Sequence, residues 1–183
     1  ISDCSEAGIW VQLCSPYIHH SVVWNNRGTE LAAGIVLLQA GAETLLENIT
    51  AVENEYAGIF IQSSPGVTVN RSIAAQNYLG IYNATGHPAT VSYCDLWAND
   101  YDSYQITLQN SFSENPMFVD AANGDFHLQS GSPCLNVAGA LVGAWSLTGV
   151  KDRPMITESF ELFQNYPNPF NSGTQISFTL PRR

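Results

Sequence analysis

Ala57-Gly58-Ile59-Phe60-Ile61 and Val69-Asn70-Arg71-Ser72-Ile73-Ala74-Ala75-Gln76-Asn77 together make one turn of a pattern that returns along roughly residues 1–100. Ala7-Gly8-Ile9-Trp10-Val11 and Ala33-Gly34-Ile35-Val36-Leu37 precede the first element, and Leu79-Gly80-Ile81-Tyr82-Asn83 follows it. Their glycines fall at 8, 34, 58 and 80, in steps of 26, 24 and 22 residues. The second element returns as Ile18 to Asn26, Leu46 to Asn54 and Val91 to Asn99, and every window closes on Asn. A period in the twenties with strand-like content is the mark of a solenoid.

Within a turn the pattern has period two. Ile9, Ile35, Ile59 and Ile81 share one slot, and Val11, Leu37 and Ile61 share the slot two later, where Asn83 breaks the series. Alternate strand residues face the same way, so both slots point into a common core. In the second window the inward slots are the first, fourth and sixth: Ile18, Ser21, Val23; Leu46, Ile49, Ala51; Val69, Ser72, Ala74; Val91, Cys94, Leu96. The pairs between them (His19-His20, Glu47-Asn48, Asn70-Arg71, Ser92-Tyr93) then form a tight corner joining two short strands. Asn26, Asn54, Asn77 and Asn99 suit another corner, because Asn tolerates left-handed backbone angles. Stacked asparagines also bond along their column. No three-four apolar spacing persists to compete as a helix.

Short strands, corners at fixed intervals and small inward residues predict an all-β chain, a parallel β-helix. On its Gly-Ile slots and Asn-closed windows the chain resembles the right-handed parallel β-helix proteins of the pectate-lyase-like superfamily, which are secreted by bacteria. The repeat is specific to that fold and not to an activity.

Beyond Tyr101 the repeat loosens. Asn115-Pro116-Met117-Phe118-Val119-Asp120 leads through Asn123-Gly124 to Asp125-Phe126-His127-Leu128, and Asn-Gly between alternating runs predicts a hairpin. With Gly131-Ser132-Pro133-Cys134 this passage is similar to the terminal segment of many bacterial surface β-helix proteins. An open solenoid end exposes strand edges, so residues 111–145 are assigned to cap it, closing a first domain over 1–145. Residues 146–159 lack period and read as a linker. The last stretch, 160–183, carries Asn165-Tyr166-Pro167-Asn168-Pro169-Phe170-Asn171 and an alternating run around Ile176, Phe178 and Leu180. It resembles the opening of the Ig-like C-terminal sorting domain of the type IX secretion system of Bacteroidetes-type bacteria, truncated before that family's later strands. The resemblance implies the type IX machinery as a partner and the outer cell surface as the destination.

Composition narrows the function. The 183 residues carry a formal charge of −10, with 45% hydrophobic and 12% charged residues. An acidic surface repels nucleic acid, and no apolar run has the length of a membrane span. The opening residues, Ile1 to Glu6, read as the tail of an earlier turn, with any export signal upstream. Cys4, Cys14, Cys94 and Cys134 lack zinc-site spacing; a disulfide pairing cannot be read from them, and Cys94 reads as a small buried apolar residue.

The sharpest candidate is an aromatic column. Trp10, Phe60 and Tyr82, with Val36 among them, each follow the inward Ile by one residue and so face outward. Stacked rings offer apolar platforms to sugar rings, and equally serve as cross-strand packing. Asp95, Asp100 and Asp102 gather near Asn99, and oxygen donors of this kind suit calcium, the bland account being a solvated acidic loop. Glu53 and Asp95 have no spacing that demands a glycosidase acid/base pair. His19 and His20, were they in a strand, would point opposite ways and not grip one metal; they read as corner residues. The lyases of the resembled superfamily join a calcium-binding acidic cluster to a proton-abstracting basic residue; the repeat holds only Arg27 and Arg71, in no matching motif. The three Asn-x-Ser/Thr triplets arise readily in such a composition. The reading is therefore a secreted or cell-surface module, structural or carbohydrate-binding, with no cofactor and no catalytic site. The alternative is the C-terminal part of a polysaccharide lyase or glycoside hydrolase acting on an acidic polysaccharide.

Overall fold

The computed structural model describes residues 1–28 and 32–146, together with the backbone of 161–162 and 178–179. Two compact units divide the chain, 1–148 and 149–183.

The first unit coils through about four turns. Its strands are β1 (Ile9–Gln12), β2 (Tyr17–Trp24), β3 (Ile35–Leu38), β4 (Leu45–Val52), β5 (Ala57–Gln62), β6 (Val67–Asn70), β7 (Ile73–Ala75), β8 (Leu79–Asn83), β9 (Ala89–Ser92), β10 (Asp95–Trp97), β11 (Tyr101–Tyr104) and β12 (Leu108–Gln109). All of these pair in parallel, each with its copy one turn away. One sheet runs β1-β3-β5-β8-β11. The other wraps the remaining sides: β2 pairs with the long β4, whose first half continues to β6, β9 and β12 and whose second half continues to β7 and β10.

The inward columns stand as the period requires. Ile9, Ile35, Ile59 and Ile81 are in register, as are Val11, Leu37 and Ile61. Ile18, Leu46, Val69 and Val91 form a second stack, and Val23, Ala51, Ala74 and Leu96 a third. Together with Ile49 and Cys94 they build one core. Asn83, which interrupts the apolar series, is buried with its amide donating to the carbonyls of His87 (2.7 Å) and Gln105 (3.3 Å) and accepting from Gly86 N–H.

The corners repeat as faithfully. The second residue of each two-residue corner is left-handed: His20, Asn48, Arg71, Tyr93, then Asn110, with φ between 46° and 55°. In that column Asn and His are the types that tolerate the conformation best; Arg71 and Tyr93 are not among them. The rung hydrogen bonds on both sides impose it on the others, for example Arg71 N–H to the Ser92 carbonyl at 3.1 Å.

At the other corner the structure corrects one detail. The left-handed residues are Asn25, Glu53, Gln76 and Ala98, each one place before the closing asparagine. Asn26, Asn54, Asn77 and Asn99 form a ladder inside the coil, the bonding along their column that the sequence leads one to expect. Each of the first three donates from its Nδ2 to the next Oδ1, at 2.8, 3.0 and 3.1 Å. This ladder explains the glycine column. A Cβ on Gly58 would lie 2.7 Å from the Gly80 carbonyl oxygen and 3.0 Å from Asn77 Nδ2. Close approach, and not an unusual φ, excludes a side chain there.

After Phe112 the chain leaves the coil. β13 (Phe118–Asp120) and β14 (Asp125–Leu128) pair antiparallel around a 3₁₀ turn at Ala121–Asn123. The sequence reading set this segment across the open end of the solenoid; its contacts run down the flank. Phe126, Leu128, Cys134 and Val142 pack on Val52, Ile73 and Ala75, the outward residues of β4 and β7, with Trp24 and Trp97 at the margin. Burying each large side chain contributes roughly 2 kcal/mol. Polar bonds fix the segment: Asn48 Nδ2 donates to Gly143 O (3.1 Å), Ala144 N–H to Thr50 Oγ1 (2.8 Å), and Arg71 Nη1 to Val137 O (2.7 Å).

In the second unit β15 (Glu161–Leu162) and β16 (Phe178–Thr179) pair antiparallel. The linker and the rest of the sorting-domain resemblance fall outside the described residues. Among the described residues no helix is long and apolar enough to cross a membrane.

Candidate functional site: an aromatic face on the five-stranded sheet

The pleat of the five-stranded sheet sends Trp10, Val36, Phe60, Tyr82 and Tyr104 outward in a single column, one per rung. Three were expected to bind sugar, and the column exists, but its members are not equivalent. Trp10 is 44% exposed, whereas Phe60 is 5% exposed and Val36 is buried. A sugar cannot lie along a column closed at its middle.

Exposed rings gather instead at the later rungs. Tyr78 is 45% exposed, Tyr101 56% and Tyr104 48%, with Tyr82 and Tyr56 half-buried among them. Tyr82 meets Tyr104 at 5.3 Å and Phe60 at 5.4 Å between ring centroids, both edge-on. Tyr78 stacks on Tyr56 at 6.3 Å and meets the edge of Tyr101 at 5.6 Å, and Tyr56 meets Tyr82 at 5.9 Å. The base of this network is apolar: Ala33, Val36, Ala57, Phe60 and Leu79 form a cluster of their own on the outer face. The patch is therefore a rigid floor with a rim of rings, at edge-to-face geometries that stabilise aromatic pairs.

Tyr78 and Tyr56 were detectable in the sequence, since each directly precedes a repeat start (Tyr56-Ala57-Gly58, Tyr78-Leu79-Gly80). Tyr101 and Tyr104 were hidden. Their rung reads Tyr101-Asp102-Ser103-Tyr104, with Asp102 in the glycine slot and Ser103 in the isoleucine slot.

The acidic group does not converge. Asp95 is buried under the C-terminal segment, accepting from Glu114 N–H (3.1 Å) and from the Cys134 thiol (3.1 Å). Burial pushes its carboxyl up to about 6. The same burial, with Asp95 beside it, raises the Cys134 thiol, which stays protonated. Asp102 instead accepts from Asn99 Nδ2 at 3.2 Å, closing the asparagine ladder. No three His, Cys, Asp or Glu side chains among the described residues gather to hold a metal, so the calcium idea finds no cluster. Glu53 lies beyond Val52, and Asp95 is in register with Ile73 and through it with Thr50. Their backbones stand two rungs and three residues apart, roughly 14 Å between Cα atoms, and no contact joins the two carboxylates among the described residues.

One reading of the histidines is overturned. The left-handed angle at His20 breaks the alternation, so His19 Nδ1 and His20 Nδ1 approach to 3.0 Å on one side of the corner. Tyr17 stacks on His19 at 4.6 Å and donates to Glu47 Oε2 at 2.7 Å, a bond that raises the phenol pKa. Both described arginines are engaged in structure. Arg27 Nε donates to Asn25 Oδ1 at 2.6 Å, and Arg71 lies over the Tyr93 ring.

The family described as right-handed β-helix region matches this chain over residues 8–124. No curated protein matches, and no solved structure matches.

Proposed function

Because the chain belongs to the right-handed β-helix family, a fold that fixes no activity by itself, we propose that it is a secreted or cell-surface module that binds a glycan on its tyrosine face. One observation carries this reading: Tyr78, Tyr82, Tyr101 and Tyr104 stand together, three of them exposed, on an apolar floor. An exposed aromatic patch of that kind marks an interaction site. Tyrosine pairs an apolar ring face, which suits the C–H face of a pyranose, with a polar tip that suits its hydroxyls. The likeness to secreted pectate-lyase-like proteins and the sorting-type motif at 165–171 support the destination, reached through the type IX machinery. The lyase or hydrolase alternative assigns its catalytic turns to chain outside this stretch, so the engaged arginines of the described residues do not weigh against it.

A glycan-array screen of the whole chain beside its Tyr82→Ala and Tyr104→Ala variants tests the proposal. Stacking losses of about 1–2 kcal/mol per ring should lower affinity roughly tenfold for each variant. Equal binding by both variants and the parent would refute the tyrosine face as the site. Release of unsaturated uronate by the parent would refute the non-catalytic reading.

A further inference from the structure

We infer that the glycan taken by the tyrosine face is an uncharged polymer of neutral sugars, not a uronate polymer; the inference rests on the glycan reading above and adds the charge of the ligand. A uronate chain presents one carboxylate per residue, and proteins recognise such anions with arginine forks or lysine ammonium groups. The tyrosine face offers neither among the described residues. Arg27 is tied to Asn25 at its corner, and Arg71 is tied to Val137 and Tyr93 on another side of the coil. No lysine lies among the described residues.

What stands beside the rings is negative. Asp100 is exposed and directly precedes Tyr101, in the same rung position as Tyr78. Asp102, in the glycine slot, turns instead to the asparagine ladder, accepting from Asn99 Nδ2 at 3.2 Å, so Asp100 is the carboxylate beside the rings. Two carboxylates at about 6 Å in water repel enough to weaken binding roughly threefold for each such pair, more where the rings exclude solvent. Toward a neutral sugar Asp100 acts oppositely. A carboxylate accepts hydrogen bonds from sugar hydroxyls, and charge-assisted bonds are stronger than neutral ones. Rings below and the Asp100 carboxylate at the rim thus favour a hydroxyl-rich, uncharged ligand on both counts.

The test titrates the whole chain by calorimetry with neutral hexasaccharides (β-glucan, mannan and xylan fragments) and with oligogalacturonate of matched length. The expected result is at least about tenfold tighter binding of one neutral oligosaccharide than of oligogalacturonate. Its affinity should change less than about twofold when salt rises across the range that shortens screening below about 10 Å. Asp100→Lys should raise oligogalacturonate affinity by about tenfold while leaving neutral binding within about threefold. Oligogalacturonate binding as tight as or tighter than the neutral sugars would overturn the inference and leave the glycan reading standing. Binding of no sugar of either kind, with the patch capturing protein partners only, would overturn both.

Discussion

Asn77 shows how much one buried side chain carries in a coil. Its Oδ1 accepts from both the backbone N–H and the side chain of Asn54, at 2.9 and 3.0 Å, and its Nδ2 donates to Ala51 O and Asn99 Oδ1, both at 3.1 Å. Asn77→Ala leaves several of these groups buried without partners, each costing about 1–3 kcal/mol. The expected loss is at least roughly 3 kcal/mol in chemical denaturation, against a smaller loss for Asn99→Ala at the ladder's end. A cost below about 1 kcal/mol would show that the ladder is not what holds the corner. The sequence displayed these asparagines plainly and pointed to their bonding along the column, but it also gave them the left-handed corner, which falls one residue earlier. Their left-handed neighbours, Glu53, Gln76 and Ala98 among them, leave no trace in residue type, because rung bonds and not propensity impose the angle. The paired histidines stand at the corner the sequence assigned to them, and the strand alternation that would point them apart ceases to apply where a left-handed residue turns the chain.

At the scale of elements, the segment from Phe112 to Ser146 is held to the outside of β4, β7 and β10 by a buried acid as well as by apolar packing. Asp95 in the fold binds its proton more tightly than in the unfolded chain, its pKa raised from 3.8 to about 6, mainly by burial and against the bonds from Glu114 and Cys134. The contribution of this group is therefore complete below pH ~4 and is lost as pH rises to about 6. Unfolding measured at pH 4 and pH 7 should show Asp95→Asn losing less stability over that interval than the parent, by on the order of 2 kcal/mol. Identical pH slopes in the two proteins would refute the burial of an ionisable Asp95 under this segment. The antiparallel pairing of β13 with β14 was readable from Asn123-Gly124, but its resting place was not. Its anchors reach across long stretches of chain, as in the bond from Ala144 to Thr50, 94 residues away.

For the molecule as a whole, the proposed surface location rests on the last stretch of sequence and is separable from the coil. Replacing residues 165–171 by alanine in the protein as its own cells make it is expected to abolish its display, read by antibody labelling of intact cells. Undiminished labelling would refute a sorting role for that stretch.

The sequence alone determined the coil: the turn length, the columns of Ile35, Ile59 and Ile81, and the outward phase of Trp10, Phe60 and Tyr82. Those features depend on alternation and spacing along a strand, which are local. Only the tertiary structure decided which outward residues meet solvent. Phe60 is enclosed while Tyr101 and Tyr104 stand open, and one outer face is covered by the C-terminal segment while another keeps its tyrosines. An outward side chain takes its surroundings from other rungs and from distant chain, and no period in the sequence encodes which of them will cover it.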